Sequence, residues 1–163
     1  EGLHRFPGIS FIVRLLRPES HGTIMARSAD PFDPPAIRPN FLHAPRDGEA
    51  IARGCQMSRE IARKGPLAEY VESEHIPGGD VVSDADMLDY LRQYGATSFH
   101  PVGTCRMGPD ERAVVDSRLR VKGVEGLRVA DASIMPEIIS GNTNAPSIMI
   151  GEKAADMILT EGR

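Results

Sequence analysis

The sequence predicts an α+β fold, an antiparallel sheet flanked by helices. Three observations carry this. Short apolar, β-branched runs broken by proline and glycine fill residues 9–42. Two segments with helical apolar spacing occupy residues 47–65 and 83–95. A loop-rich stretch with short alternating runs then leads into a third helical pattern at the end of the chain.

The elements follow in order. "ISFIVRLL" (9–16) is rich in Ile and Val and too short for a helix; "TIMARS" (23–28) follows the turn "RPESHG", so the two read as an antiparallel hairpin. "DPFDPPAIRPNFL" holds four prolines, which bar central-strand pairing and leave 36–39 as a short extended segment. Asp47 reads as the N-cap of a helix with one inner stripe of Ile51, Cys55, Ser58, Ile61 and Ala62, stopped by Gly65-Pro66. Ser83 opens the next helix with Asp86 three residues on, close to a capping box; Met87, Leu88 and Leu91 form its inner face and Gly95 ends it. "TSFH" (97–100) reads as extended, "AVVD" (113–116) and "LRV" (119–121) as a strand pair, and "LRVADAS" (127–133) as a stronger strand. Residues 145–162 read as a well-buried helix capped by Asn144, with Pro146 in its first turn.

Composition bounds the function. The 163 residues suffice for a core, and 40% hydrophobic with 26% charged residues is ordinary for a globular protein. Tryptophan is absent and aromatics are 5%, so the core must be aliphatic. A net charge of −4 without a basic block argues against nucleic acid as a partner. No apolar run approaches the roughly 18 residues of a membrane span, and no charged-then-apolar leader is visible. Two distant cysteines, Cys55 and Cys105, make no disulfide framework, which fits a cytoplasmic location. The chain starts at Glu1 without methionine and is expected to be a piece of something longer.

The chemistry concentrates in "HPVGTCRMG" (100–108). As a metal site it lacks partners: no CxxC, HxxxH or HxH occurs in the chain. As a phosphate loop it lacks the Lys and Ser/Thr, having Pro109-Asp110 there, and no GxGxxG occurs. Arg106 could activate Cys105, although a small packed thiol is the plainer state and no resolving cysteine lies near. His100 suits either a satisfied core histidine or an acid–base group, held at an element end by Pro101-Val102-Gly103. "GNTNAP" (141–146) places Asn142 and Asn144 ahead of a helix, where free N–H groups and the helix dipole favour negative charge.

"HPVGTCRMG", "VVDSRLRVKGVEGLRVADASIMP" and "SGNTNAPSIMIGEKAADMI" together resemble the C-terminal half of the glucose-methanol-choline (GMC) oxidoreductases, FAD-dependent alcohol oxidases and dehydrogenases, most of all the choline dehydrogenase-like bacterial members. The likeness runs over about residues 9–160. It implies substrate-binding strands and helices in residues 1–98 and catalytic, flavin-facing segments in 99–163, in one compact fragment whose FAD-binding N-terminal part lies on the same polypeptide. It implies that His100 takes the alcohol proton as a hydride leaves for the flavin, with Asn142 hydrogen-bonding the substrate oxygen. It places Asp131 and Ala132 by the ribityl and pyrophosphate region of FAD, and Asn144, Ala145 and Pro146 by the isoalloxazine. The partners it implies are a small-molecule alcohol and an electron acceptor, oxygen or a quinone or dye. Cys105 and Arg106 receive no catalytic role and read as support for the turn. Without the N-terminal half the chain is expected neither to retain FAD nor to turn over. A stand-alone binding or assembly module without catalysis is the alternative.

Overall fold

A computed structural model of the chain describes residues 4–161. It is α+β, with a two-stranded antiparallel sheet and three α-helices among the described residues. No helix among these residues is long and apolar enough to cross a membrane. The chain divides into two compact units, one of the residues up to Ser20 with Phe41–Ala96, the other of His21–Asn40 with Thr97 onward.

The first unit is built on helices α1 (Pro45–Ala62) and α2 (Asp84–Tyr94), which pack on each other. Small residues permit this approach. A Cβ on Gly48 would lie 2.5 Å from Leu88 Cδ2, and Ala52 and Met87 are buried. α1 begins two residues before the expected Asp47, with Pro45 in its first turn and Ala44 at the cap. Asp47 is not the cap. It is 3% exposed, and its carboxylate accepts the backbone N–H groups of Glu19 (2.8 Å) and Ser20 (2.9 Å). Ser20 Oγ in turn accepts the N–H of Ala44 (3.0 Å), so the turn "RPESHG" is pinned to the start of α1 by two side chains. Farther along, Arg59 pairs with Glu74 (2.9 Å) and donates to the carbonyl of Val81 (2.7 Å), which holds the loop leading to α2.

α2 starts as the sequence predicts. Ser83 Oγ accepts the N–H of Asp86 (3.1 Å), the Asp86 carboxylate accepts the N–H of Ser83 (3.1 Å), and Gly95 forms the C-cap. Ser83→Ala is expected to cost about 1 kcal/mol in chemical denaturation, because it orphans one N–H at the helix start.

The expected hairpin of 9–16 with 23–28 does not form. Instead β1 (Thr23–Met25) pairs with β2 (Ala36–Arg38), Ile24 opposite Ile37. The prolines of 30–42 lie outside the paired triplet, so none removes a ladder donor. Residues 9–16 form no strand among the described residues; Val13 approaches α1, where its Cγ1 would lie 2.5 Å from a Cβ on Gly54.

In the second unit the predicted strands shrink to single bridges. "AVVD" and "LRV" pair only at Val115–Val121, and "LRVADAS" contributes one bridge at Arg128 before a 3-10 turn at Ala132–Ile134. Acidic side chains explain the interruption. Asp116 accepts the N–H groups of Arg118 (2.8 Å) and Arg120 (3.0 Å), and Asp131 that of Ser133 (2.7 Å), so each closes a turn on itself rather than extending a ladder. The Arg120 guanidinium also holds the Asp116 carboxyl down at about 2. "TSFH" is not extended throughout either, since Phe99 has φ +59°.

The core of this unit comprises Val115, Leu119, Ile134, Met135, Ile150 and Ala154. The last two come from α3 (Asn144–Glu161), which is less buried than the sequence predicts. Ile150 and Ala154 make one i, i+4 stripe inward, while Ile148, Met149, Ile158 and Leu159 are exposed. The core covers one face of a helix that is apolar on several. Arg118 and Arg128 both pair with Glu161 near the end of α3. Gly162, the last residue expected in this helix, lies outside the described residues.

Candidate active site around His100

His100 sits in a turn with restricted backbone on both sides. Phe99 before it is left-handed, with its N–H bonded to Thr97 Oγ1 (3.0 Å), and Gly103 after it has φ +87°, a conformation that favours glycine. Main-chain bonds then fix this turn against "DASIM". Cys105 N–H donates to the carbonyl of Ser133 (3.0 Å) and Met107 N–H to that of Ile134 (2.7 Å). The two motifs that stand some thirty residues apart in sequence are thus stitched side by side.

The third motif arrives through Thr143. Nδ1 of the half-buried His100 lies 3.0 Å from Thr143 Oγ1, across 43 residues of sequence. Thr143 is 8% exposed. Its carbonyl accepts both the N–H (3.1 Å) and the hydroxyl (2.6 Å) of Ser147, so Thr143 is the residue on which α3 starts. The cap expected at Asn144 therefore falls one residue earlier, because the first helical bond closes on Thr143; Asn144 is the first helical residue and Pro146 stays in the first turn. In the sequence the signal for Thr143 is no more than its place between two asparagines at a helix start.

The remaining candidates take these positions. Asn142 is exposed, next to Thr143, and already holds an interaction within the chain rather than standing idle. Asn144 and Ala145 are exposed at the start of α3, and Pro146 is half-buried. Asp131 is exposed and caps the 3-10 turn that contains the half-buried Ala132. Arg106 is committed to Asp110 through two guanidinium contacts (2.9 and 2.5 Å), which raise its own pKa and hold the Asp110 carboxyl far below the usual range. That leaves Arg106 as a brace for the turn, in keeping with the role read from the sequence. No group of three His, Cys, Asp or Glu that could hold a metal ion occurs among the described residues.

Two features fit a large, partly anionic ligand beside this cluster. Ser133 Oγ is buried without a hydrogen-bond partner, immediately after Asp131 and Ala132. The start of α3 presents main-chain N–H groups that its own helix does not use, together with the positive end of the helix dipole.

Comparison with known proteins shows the family. Residues 18–151 match the family model for the C-terminal domain described as GMC oxidoreductase. The chain is 45% identical over 144 residues to an alcohol dehydrogenase [acceptor] of Pseudomonas putida, covering 88% of this chain and 26% of that protein. It is 45% identical over 151 residues to an oxygen-dependent choline dehydrogenase of Escherichia coli, covering 93% and 27%. Among solved structures, a variant of formate oxidase from Aspergillus oryzae RIB40, concerned with FAD modification, superposes with a TM-score of 0.86 at 36% identity over 96% of this chain and 29% of that one. The chain spans about a quarter of the length of the curated relatives it matches. It belongs to the GMC oxidoreductases and corresponds to their C-terminal domain.

Proposed function

We propose that this chain carries the catalytic residues of an FAD-dependent oxidoreductase that converts a primary or secondary alcohol to an aldehyde or ketone. The observation that carries the reading is the tie between His100 and Thr143 next to Asn142, which brings an imidazole and an amide into one neighbourhood at the start of α3. The names of the relatives, an alcohol and a choline dehydrogenase, support the CH–OH substrate class.

FAD is the cofactor of the family, held mostly by its N-terminal domain, and supplies a two-electron acceptor for the hydride. Asp131, Ala132 and Ser133 on one side, and Asn144, Ala145 and Pro146 on the other, are the residues of this chain that would contact it. His100 accepts the proton of the substrate hydroxyl while the C–H bond breaks and the C=O bond forms. Asn142 donates an amide N–H to the substrate oxygen; a neutral amide can orient that oxygen but cannot take its proton. The start of α3 offers dipole and N–H groups to the negative charge that reduction creates. An electron acceptor, oxygen or a quinone-type compound, would complete the turnover, and the FAD-binding part would lie on the same polypeptide.

The test is anaerobic mixing of the full-length, FAD-loaded enzyme that carries this chain with a panel of primary and secondary alcohols, choline included. Bleaching of the oxidised flavin absorbance by at least one alcohol is the expected result. An unbleached flavin across the whole panel, with dithionite still reducing it, would overturn the reading.

A further inference from the structure

We propose that Thr143 is the positioning residue for His100: its Oγ1 accepts the Nδ1–H of the imidazole, which fixes the ring as the Nδ1–H tautomer and leaves the Nε2 lone pair for the substrate proton. This deepens the alcohol-oxidising reading above and rests on it. A neutral imidazole has one nitrogen that donates and one that accepts, and the partner of the first decides the role of the second. The partner that the structure records for the His100 ring is Thr143.

Both ends of the contact stand on fixed backbone. Thr143 is buried and anchored through its carbonyl to Ser147, while His100 lies between the left-handed Phe99 and Gly103, in a segment bonded to Ser133 and Ile134. Neither side chain needs to be ordered when substrate arrives. A threonine hydroxyl can also donate, but that direction would put the ring proton on Nε2 and leave no lone pair for the alcohol. Acceptance by Thr143 has a second consequence. When the O–H bond of the alcohol breaks and its proton joins Nε2, Nδ1–H still donates to the same oxygen, and nothing has to rotate. The electron pair of the C–H bond leaves as hydride to FAD, and the carbonyl product departs neutral.

The experiment compares the wild-type protein with Thr143→Val, which removes the hydroxyl at nearly constant volume, and Thr143→Ser, which keeps it. Histidine is labelled with nitrogen-15, and the His100 signal is assigned by its loss in His100→Gln. The wild type and Thr143→Ser are expected to show a protonated Nδ1 and an unprotonated Nε2 in the neutral ring. Thr143→Val is expected to show a mixture or the other tautomer, with kcat for flavin reduction lowered roughly 10- to 100-fold and KM little changed. A wild-type ring protonated at Nε2, or the same tautomer in Thr143→Val as in the wild type, would overturn the proposal. If Thr143→Val does not fold, the wild-type and Thr143→Ser spectra decide alone. The spectra need neither substrate nor turnover, so failure of the Thr143 assignment shows there, whereas failure of the alcohol reaction shows only in the flavin signal.

Discussion

His100→Ala is expected to slow flavin reduction by alcohol by about 10²–10⁴ in the FAD-loaded protein, the usual contribution of a positioned general base. The imidazole can take a proton and is already oriented by a hydrogen bond to Thr143 at the start of α3. Asn142 beside it can hold an oxygen but not deprotonate it. The effect should fall on kcat for the reductive step, measured by stopped-flow absorbance under anaerobic conditions. Since His100 is only half-buried, melting temperature should move little, and the loss can then be assigned to chemistry. Reduction within a few-fold of the wild type would remove His100 from the role of base. Asn142→Ala offers a contrast: losing an amide that orients the oxygen should raise KM as well as lower kcat.

Asp47→Ala is expected to destabilise the first unit by about 2–4 kcal/mol in urea denaturation, far more than a surface aspartate would. The carboxylate is buried and accepts two main-chain N–H groups from Glu19 and Ser20. Removing it takes the buried acceptor from the main-chain N–H groups of Glu19 and half-buried Ser20. It also frees the turn whose Ser20 holds the start of α1. Asp47→Asn, which keeps one acceptor oxygen, should recover part of the loss. The Arg46–Glu19 pair nearby is exposed at both ends, and its removal should be hard to detect. A change below about 0.5 kcal/mol for Asp47→Ala would mean that the turn is held by other contacts.

These two residues mark what could and could not be read from the sequence. Ser83, Asp86 and Gly95 were legible because a cap and its partner lie within one or two turns, and local stereochemistry settles them. Asp47 was legible as a helix-start residue but not in its role, because its partners lie 27 and 28 residues back. The 9–16 run has the composition of a strand, yet composition does not supply a neighbouring edge, and the sheet formed between 23–25 and 36–38 instead. Periodicity likewise marked α3 as apolar without telling how many of its faces a neighbour would cover. In the candidate site, the motif residues were recognisable one by one. The contact that joins His100 to Thr143 was not, since neither residue carries a mark of the other at a separation of 43 positions.

The stitching of residues 105–107 to 133–134 runs through carbonyls and amides, not through side chains. Mutation can alter a side chain, but every residue other than proline brings the same two main-chain groups. The placement of the turn that holds His100 is therefore insulated from most of the variation that a gene accumulates. Cys105 and Met107 can drift in chemical character without loosening His100, provided that neither becomes proline. An architecture of this kind lets the surrounding side chains diverge among descendants while the frame around His100 is inherited intact.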